Sequence, residues 1–305
     1  MELRQLKYFM KVAELLNFSE AAKALFITQS TLSQQVKQLE TELDVQLFQR
    51  SSHDVSLTEA GKELLPYARE TLHCADTCVD RIRDLHRLLV GTLNIGATYT
   101  FRPILTDTLL TFMKKYTGVK LNIFYKSMEE LMGMLEQRDV DFVLSFKPTD
   151  KYHHIESHIL FDNHLAVIVN SNHPIAQLSS VSLADLQDYD IALPTKGLQA
   201  RNAFDDMVAD RDYKLNVRIE LNEVDILMKL IRDSNLVSIL SEATIHGEEG
   251  LKAVPLDVPN NQMEGCVHVL KNSYSKSSAK EFLRMLSESN AVRERMHDWI
   301  NEAGM

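Results

Sequence analysis

The chain has 305 residues, 45% of them hydrophobic and 25% charged, which places it among ordinary globular proteins of two or three domains. Three cysteines without a CxxC spacing exclude a disulfide framework, and no apolar run suits a signal peptide or a membrane span, so a cytoplasmic protein is expected. Net charge is −10, but residues 1–58 hold six basic against seven acidic groups, so any nucleic-acid contact must rest on the placement of individual residues.

Leu6, Phe9, Met10 and Ala13 recur at helical spacing and predict a helix over residues 3–16. Ser19 is the expected N-cap of a second helix, with Ala21, Ala22 and Leu25 facing inward. Thr28 caps a third, in which Leu32, Val36, Leu39 and Leu43 form a buried stripe. Two short helices joined by a tight turn at FIT predict a helix-turn-helix. The third helix also carries Gln29, Ser30, Thr31, Ser33, Gln34 and Lys37 near its start. Solvated faces favour Glu and Lys over Gln, Ser and Thr. Gln can pair bidentately with adenine, Ser can serve any base, and Lys reaches guanine or phosphate. This set is the candidate base-reading surface.

Beyond it, QLFQR and VSLT flank the turn SSHD and predict a two-stranded wing. Arg50 and His53 are its candidate phosphate or minor-groove contacts. The run FSEAAKALFITQSTLSQQVKQLETEL, followed by LFQR and LTEAG, resembles the winged helix-turn-helix of LysR-type transcriptional regulators. The resemblance is dense over residues 1–61 and implies a DNA-binding domain at 1–58, promoter DNA as a partner, and RNA polymerase as another. Gln34 stands where many members carry arginine, and Ser51, Ser52 and His53 where many are more basic. That implies weaker phosphate contacts or help from a second dimer.

Thr58 is expected to cap a long helix reaching about Leu89, so that residues 59–90 form a linker. Leu64, Ala68, Thr71, Ala75, Cys78, Ile82, Leu85 and Leu89 alternate steps of four and three, the period of a coiled-coil seam. Pro66 removes one backbone donor early in the helix, and Gly91 ends it. Cys74 and Cys78 read as small residues of a packed helix. The resemblance implies that this helix pairs two copies and that the assembly is a homotetramer, a dimer of dimers.

From residue 92 short strand-like runs (TLNIGA, VKLNIFY, VDFVLSF, HLAVIVN, YDIALP, VRIELN, LVSIL) alternate with helix-length segments. They predict an α/β region, 91–305, with largely parallel sheets. The resemblance implies a two-lobed, periplasmic-binding-protein-like effector domain, and HPIA (173–176) and GLQARNAF (197–204) sit where the family places such elements. Ligands of such folds bind beyond strand ends, where helix N-termini converge. The candidate effector residues are Thr98, Thr100, Ser127 and Met128 on one lobe, and Thr195, Lys196, Gln199, Arg201 and Asn222 on the other. Helices are expected to begin near Thr100 and Ser127, with Tyr99 or Phe101 as an apolar wall; a small organic anion is the preferred effector class, with a neutral metabolite held by hydroxyls alone as the alternative.

KYHHIESHILFDNH concentrates His153, His154, His158 and His164, but the spacing favours a polar surface loop with one solvated strand edge over a metal site. Cys266 stands alone where a peroxide sensor needs two cysteines. No GxSxG, HExxH, Walker or dinucleotide motif supports an enzyme or a cofactor. A cytoplasmic solute-binding protein without DNA binding is the second reading, and the winged segment counts against it.

Overall fold

The computed structural model describes residues 1–50, 54–85, 89–148, 152–209, 214–259, 261–289 and 292. The chain divides into two compact units, Met1–Leu88 and Leu89–Met305. In the first, α1 (Leu3–Leu15), α2 (Phe18–Ala24) and α3 (Gln29–Leu43) are followed by β1 (Phe48–Arg50), β2 (Val55–Leu57) and α4 (Glu59–Leu85). The helices form where the apolar spacing places them, and their inward residues Phe9, Val12, Ala21, Ala22, Leu32, Val36 and Leu39 make one core. β1 and β2 pair antiparallel as the wing. Phe48 carries the wing into that core, its ring 5.4 Å from Phe9 and 5.6 Å from Phe18.

Three local expectations change. The N-cap of α2 is Asn17, not Ser19: its side chain accepts from the backbone of Ser19 and Glu20, while Ser19 already lies inside the helix. Leu43 is 37% exposed, and the inward position near the end of α3 is taken by Glu40. The buried Glu40 carboxylate accepts from the backbone N–H of Leu47 (2.8 Å) and Phe48 (3.2 Å) and lies 3.7 Å from Arg50. A buried charge held in this way is satisfied by the backbone that enters the wing. The α4 seam, finally, is divided. Ala68 is buried and Leu64 half-buried against the helical core, whereas Thr71, Cys78 and Ile82 are exposed and Ala75 is half-buried. The side chain of Leu85 lies outside the described residues. Leu89 is not helical and packs on the core of the second unit.

The second unit runs β3 (Gly91–Ala97), α5 (Arg102–Lys115), β4 (Val119–Tyr125), α6 (Met128–Glu136), β5 (Phe142–Phe146) and β6 (Ile155–Asn170). It continues with β7 (Asp190–Pro194), α7 (Gln199–Val208), β8 (Asn216–Leu221), α8 (Val224–Arg232), β9 (Ser238–Ser241), β10 (Leu251–Pro255), β11 (Gln262–Leu270) and α9 (Ser277–Ser287). The main sheet has the order β10-β6-β11-β5-β3-β4, with β9 also on β6. It is mixed rather than largely parallel: β3 pairs parallel with β4 and β5, but every partner of β6 is antiparallel. The sixteen-residue β6 explains the difference. Residues 155–164 pair with β11 in the first lobe, and residues 165–170 pair with β9 and β10 in the second. The histidine-rich segment is therefore strand from Ile155 onward, more strand and less loop than expected. Among the described residues no cluster of His, Cys, Asp and Glu could hold a metal ion.

Each lobe is covered by helices on both faces. Phe142 and Leu144 of β5 face the core under α5 and α9, where Phe282 packs 5.2 Å from Phe112, and Val143 faces α6. Gly96 lets α6 approach closely, since a Cβ there would lie 2.8 Å from Leu131. In the second lobe Val224, Leu227, Met228 and Ile231 of α8 form the helical stripe that buries Ile168, Ala192 and Leu240. No helix of the described residues is long and apolar enough to cross a membrane.

Candidate DNA-reading surface and ligand cleft

On α3 the buried stripe sets what remains outside. With Leu32, Val36 and Leu39 turned inward, Gln29, Ser30, Thr31, Gln34 and Lys37 are exposed and Ser33 is half-buried. Thr28 caps the helix, accepting from Thr31 N (3.2 Å), and its hydroxyl lies 2.8 Å from that of Thr31 and 3.0 Å from that of Ser30. Gln29 donates to Ser33 Oγ at 2.9 Å, so the two present one joined polar surface. Gln34 and Lys37 have no side-chain partner among the described residues. His53 lies outside the described residues. Arg50 is committed to the fold more than expected: its guanidinium sits 4.1 Å over the Phe18 ring and beside Glu40.

In the second unit a cleft of about 670 Å³ opens between the lobes. The first lobe lines it with Tyr99, Arg102, Tyr125, Lys126, Ser127 and Glu130, the second with Thr195, Lys196, Gly197, Leu198 and residues 222–225. It thus brings together four of the predicted residues: Ser127, Thr195, Lys196 and Asn222. Ser127 caps α6 in a reciprocal box, its hydroxyl 2.8 Å from Glu130. Lys126 pairs with the same carboxylate at 2.9 Å, and these bonds hold the Glu130 carboxyl down at about 2. Arg102 of the first lobe pairs with Asp225 of the second, directly across the cleft. Lys196 and Glu223 have no charged partner among the described residues. The Tyr99 hydroxyl is buried at the cleft, and burial pushes its pKa up.

Five predicted effector residues lie elsewhere. After β3 the chain makes a 3-10 turn at Tyr99–Phe101, and α5 starts at Arg102, two residues later than expected. Thr98 and Thr100 are buried and outside the cleft lining, and Phe101 is a core residue 5.4 Å from Phe161 and 5.8 Å from Phe146. Met128 and Gln199 line a neighbouring hollow of about 390 Å³. There the Gln199 amide accepts from Phe146 N (3.1 Å) and donates to Phe146 O (3.0 Å), pairing the end of β5 as another strand would. Arg201 is 7% exposed, bonded to Asp205, Glu220 and the Pro194 carbonyl at 2.8, 2.8 and 3.0 Å, so it is a strut of the second lobe. Arg102, Tyr125, Glu223 and Asp225 were not singled out from the chain order. Their signal was a charged or phenolic residue at a strand end or in the first turn of a helix.

Cys266 is buried, and burial pushes its thiol up to about 11, away from reactivity. Its neighbour on the same strand, His268, bridges Ser145 Oγ (2.9 Å) and Ser157 Oγ (2.8 Å) inside the sheet. Desolvation lowers that imidazole to about 4.

Known proteins resemble both units. The family model for the bacterial regulatory helix-turn-helix protein, lysR family, matches residues 3–62, and that for the LysR substrate binding domain matches residues 86–291. The transcriptional dual regulator GltC of Bacillus subtilis is 31% identical over 288 residues, spanning 92% of this chain and 95% of its own. The crystal structure of full-length CbnR with its target DNA superposes with a TM-score of 0.64 at 22% identity, covering 97% and 100% of the two chains. The regulatory domain of Synechocystis CcmR in complex with 2-PG gives 0.58 at 21% identity, over 65% of this chain and 96% of that one. The chain therefore belongs to the LysR family of transcriptional regulators.

Proposed function

We propose that this regulator binds promoter DNA through α3 and the wing, and that a small organic anion held in the interlobe cleft controls it. The carrying observation is the surface of exposed Gln29, Gln34 and Lys37 with half-buried Ser33, on a capped helix whose opposite side is fully buried. Such a surface costs the fold nothing to change and is free to meet base edges. Its relatives support the reading: CbnR has been seen on its target DNA and CcmR with 2-PG. Working as a regulator and not as an enzyme, the chain acts in the cytoplasm with RNA polymerase, and it assembles through the exposed half of the α4 seam into a dimer of dimers. Ile82, 58% exposed in a single chain, is then covered by a second copy.

The anion class follows from the cleft's charges. Arg102, Lys126 and Lys196 face Glu130, Glu223 and Asp225, so the site has no excess of positive charge to hold a polyphosphate. Lys196 is available at once, with Ser127, Thr195 and Asn222 as polar neighbours. Arg102 becomes available only when a ligand carboxylate takes the place of Asp225. An anion that makes that exchange binds one lobe arrangement better than the other, and this differential affinity is what moves the protein between states.

The test is a thermal-shift screen of the chain against mono- and dicarboxylates, followed by mobility shifts on a promoter duplex at several salt concentrations. A carboxylate that raises the melting temperature and changes DNA affinity supports the reading. A chain that binds specific and scrambled duplexes alike removes it.

A further inference from the structure

Phe26 carries two anomalies at once. It is 94% exposed, whereas every other large apolar side chain at the surface of the described residues is 60% exposed or less. It also has φ of +55°, the left-handed region that a bulky side chain seldom adopts. The cause is the way α2 ends. Leu25 is the C-cap, Phe26 N–H donates to Lys23 O at 3.1 Å and Ile27 N–H to Ala22 O at 3.0 Å. This pair of bonds is the Schellman termination, whose left-handed position is ordinarily glycine or asparagine. Ile27 returns to the core, and Phe26 is left projecting from the turn. Glycine or asparagine would serve the turn better and would remove an apolar ring from water, so the fold gives no reason for phenylalanine here.

The position supplies one. Phe26 precedes Gln29, the first residue of α3, by three residues, at most about 10 Å of extended chain. Whatever duplex Gln29 and Ser30 touch is within reach of its ring. The geometry points to Phe26 as a DNA-contacting residue that packs on the C5-methyl of a thymine at the edge of the site read by α3. Apolar contact with that methyl in the major groove distinguishes thymine from the other bases without a hydrogen bond. The inference rests on the DNA-binding reading and adds to it an apolar contact outside the polar set.

The experiment uses the full chain and a duplex selected by it from a random pool. Each thymine of that duplex is replaced in turn by deoxyuridine, which removes only the methyl. One replacement is expected to weaken the wild type about fivefold, the worth of roughly one buried methyl group. Phe26→Asn should lose about as much on the thymine duplex, lose nothing further on that deoxyuridine duplex, and melt no lower than the wild type. Phe26→Gly, which also suits the turn, repeats the measurement. If either folded variant binds the thymine duplex as tightly as the wild type, the inference is overturned. An equal loss on thymine, deoxyuridine and scrambled duplexes overturns it as well, because the ring would then read no base. A wild type that selects no duplex removes the DNA-binding reading, and this inference with it.

Discussion

The α3 surface and the interlobe cleft both gather polar side chains at helix starts, yet they hold them differently. On α3, Gln34 and Lys37 make no side-chain bond among the described residues, and stability comes from Leu32, Val36 and Leu39 on the other side. In the cleft a set of polar groups is engaged with one another: Glu130 with Ser127 and Lys126, Arg102 with Asp225. One of these bonds, Arg102 with Asp225, joins the two lobes. The contrast separates two ways of recognising a partner. A surface outside the fold can change its target without changing stability, while a cleft whose residues hold the lobes must exchange existing bonds for new ones with the ligand.

The sharpest way to break this comparison is to find a residue of the first unit that belongs to the fold. Glu40 is that residue. Glu40→Ala leaves the Leu47 and Phe48 backbone donors unsatisfied and Arg50 without its carboxylate, at a cost of about 3 kcal/mol. The expected result is a marked drop in the melting temperature of the first unit, whereas Gln34→Ala should leave that temperature unmoved. Equal melting of both variants would contradict the division.

A second test concerns pH and the buried imidazole between Ser145 and Ser157. His268 is lowered to about 4 in the folded chain, against about 6.5 when unfolded. The unfolded state then binds more protons between those values, so stability rises with pH across that window and is lost as pH falls from about 6.5 to about 4. The full span is worth about 3 kcal/mol at its acid end. In His268→Gln, which can still bond both serines, melting of the second unit should vary less with pH over this range than in the wild type. An unchanged pH slope would show that other groups carry it.

Arg201 and Lys196 give a smaller, paired test of the cleft. Arg201→Met should lower the melting temperature of the second unit, by the loss of ion pairs worth about 2 kcal/mol, with little change in effector affinity. Lys196→Met should do the reverse, weakening a bound carboxylate about tenfold at unchanged melting. Calorimetry with a carboxylate from the screen and thermal scans of both variants would check this. A large affinity loss in Arg201→Met would restore that residue to the binding site.

What could be read from the chain order follows the same contrast. The helix-turn-helix, its polar face and the Thr28 cap were legible because each depends on residues within one or two turns of one another. Leu43 was misplaced because apolar spacing ranks leucine inward, and only the wing's backbone donors explain a buried glutamate at Glu40. In the second unit the strands were legible as apolar runs, but their directions were not. β6 crosses between lobes, and its antiparallel partners come from segments far apart in sequence. For the same reason Ser127, Thr195, Lys196 and Asn222 could be placed at the cleft, but Arg102 and Asp225 could not be paired in advance. The 3-10 turn that delays α5 to Arg102 buried Thr98 and Thr100.

The central claim is that the free face of α3 reads base sequence. It is tested most directly by the ratio of the full chain's affinities for a selected duplex and a scrambled one, compared between the wild type and Gln29→Ala. Loss of a base contact worth roughly 1–3 kcal/mol should lower that ratio about tenfold or more, with the melting temperature unchanged. A ratio equal to that of the wild type would contradict the account.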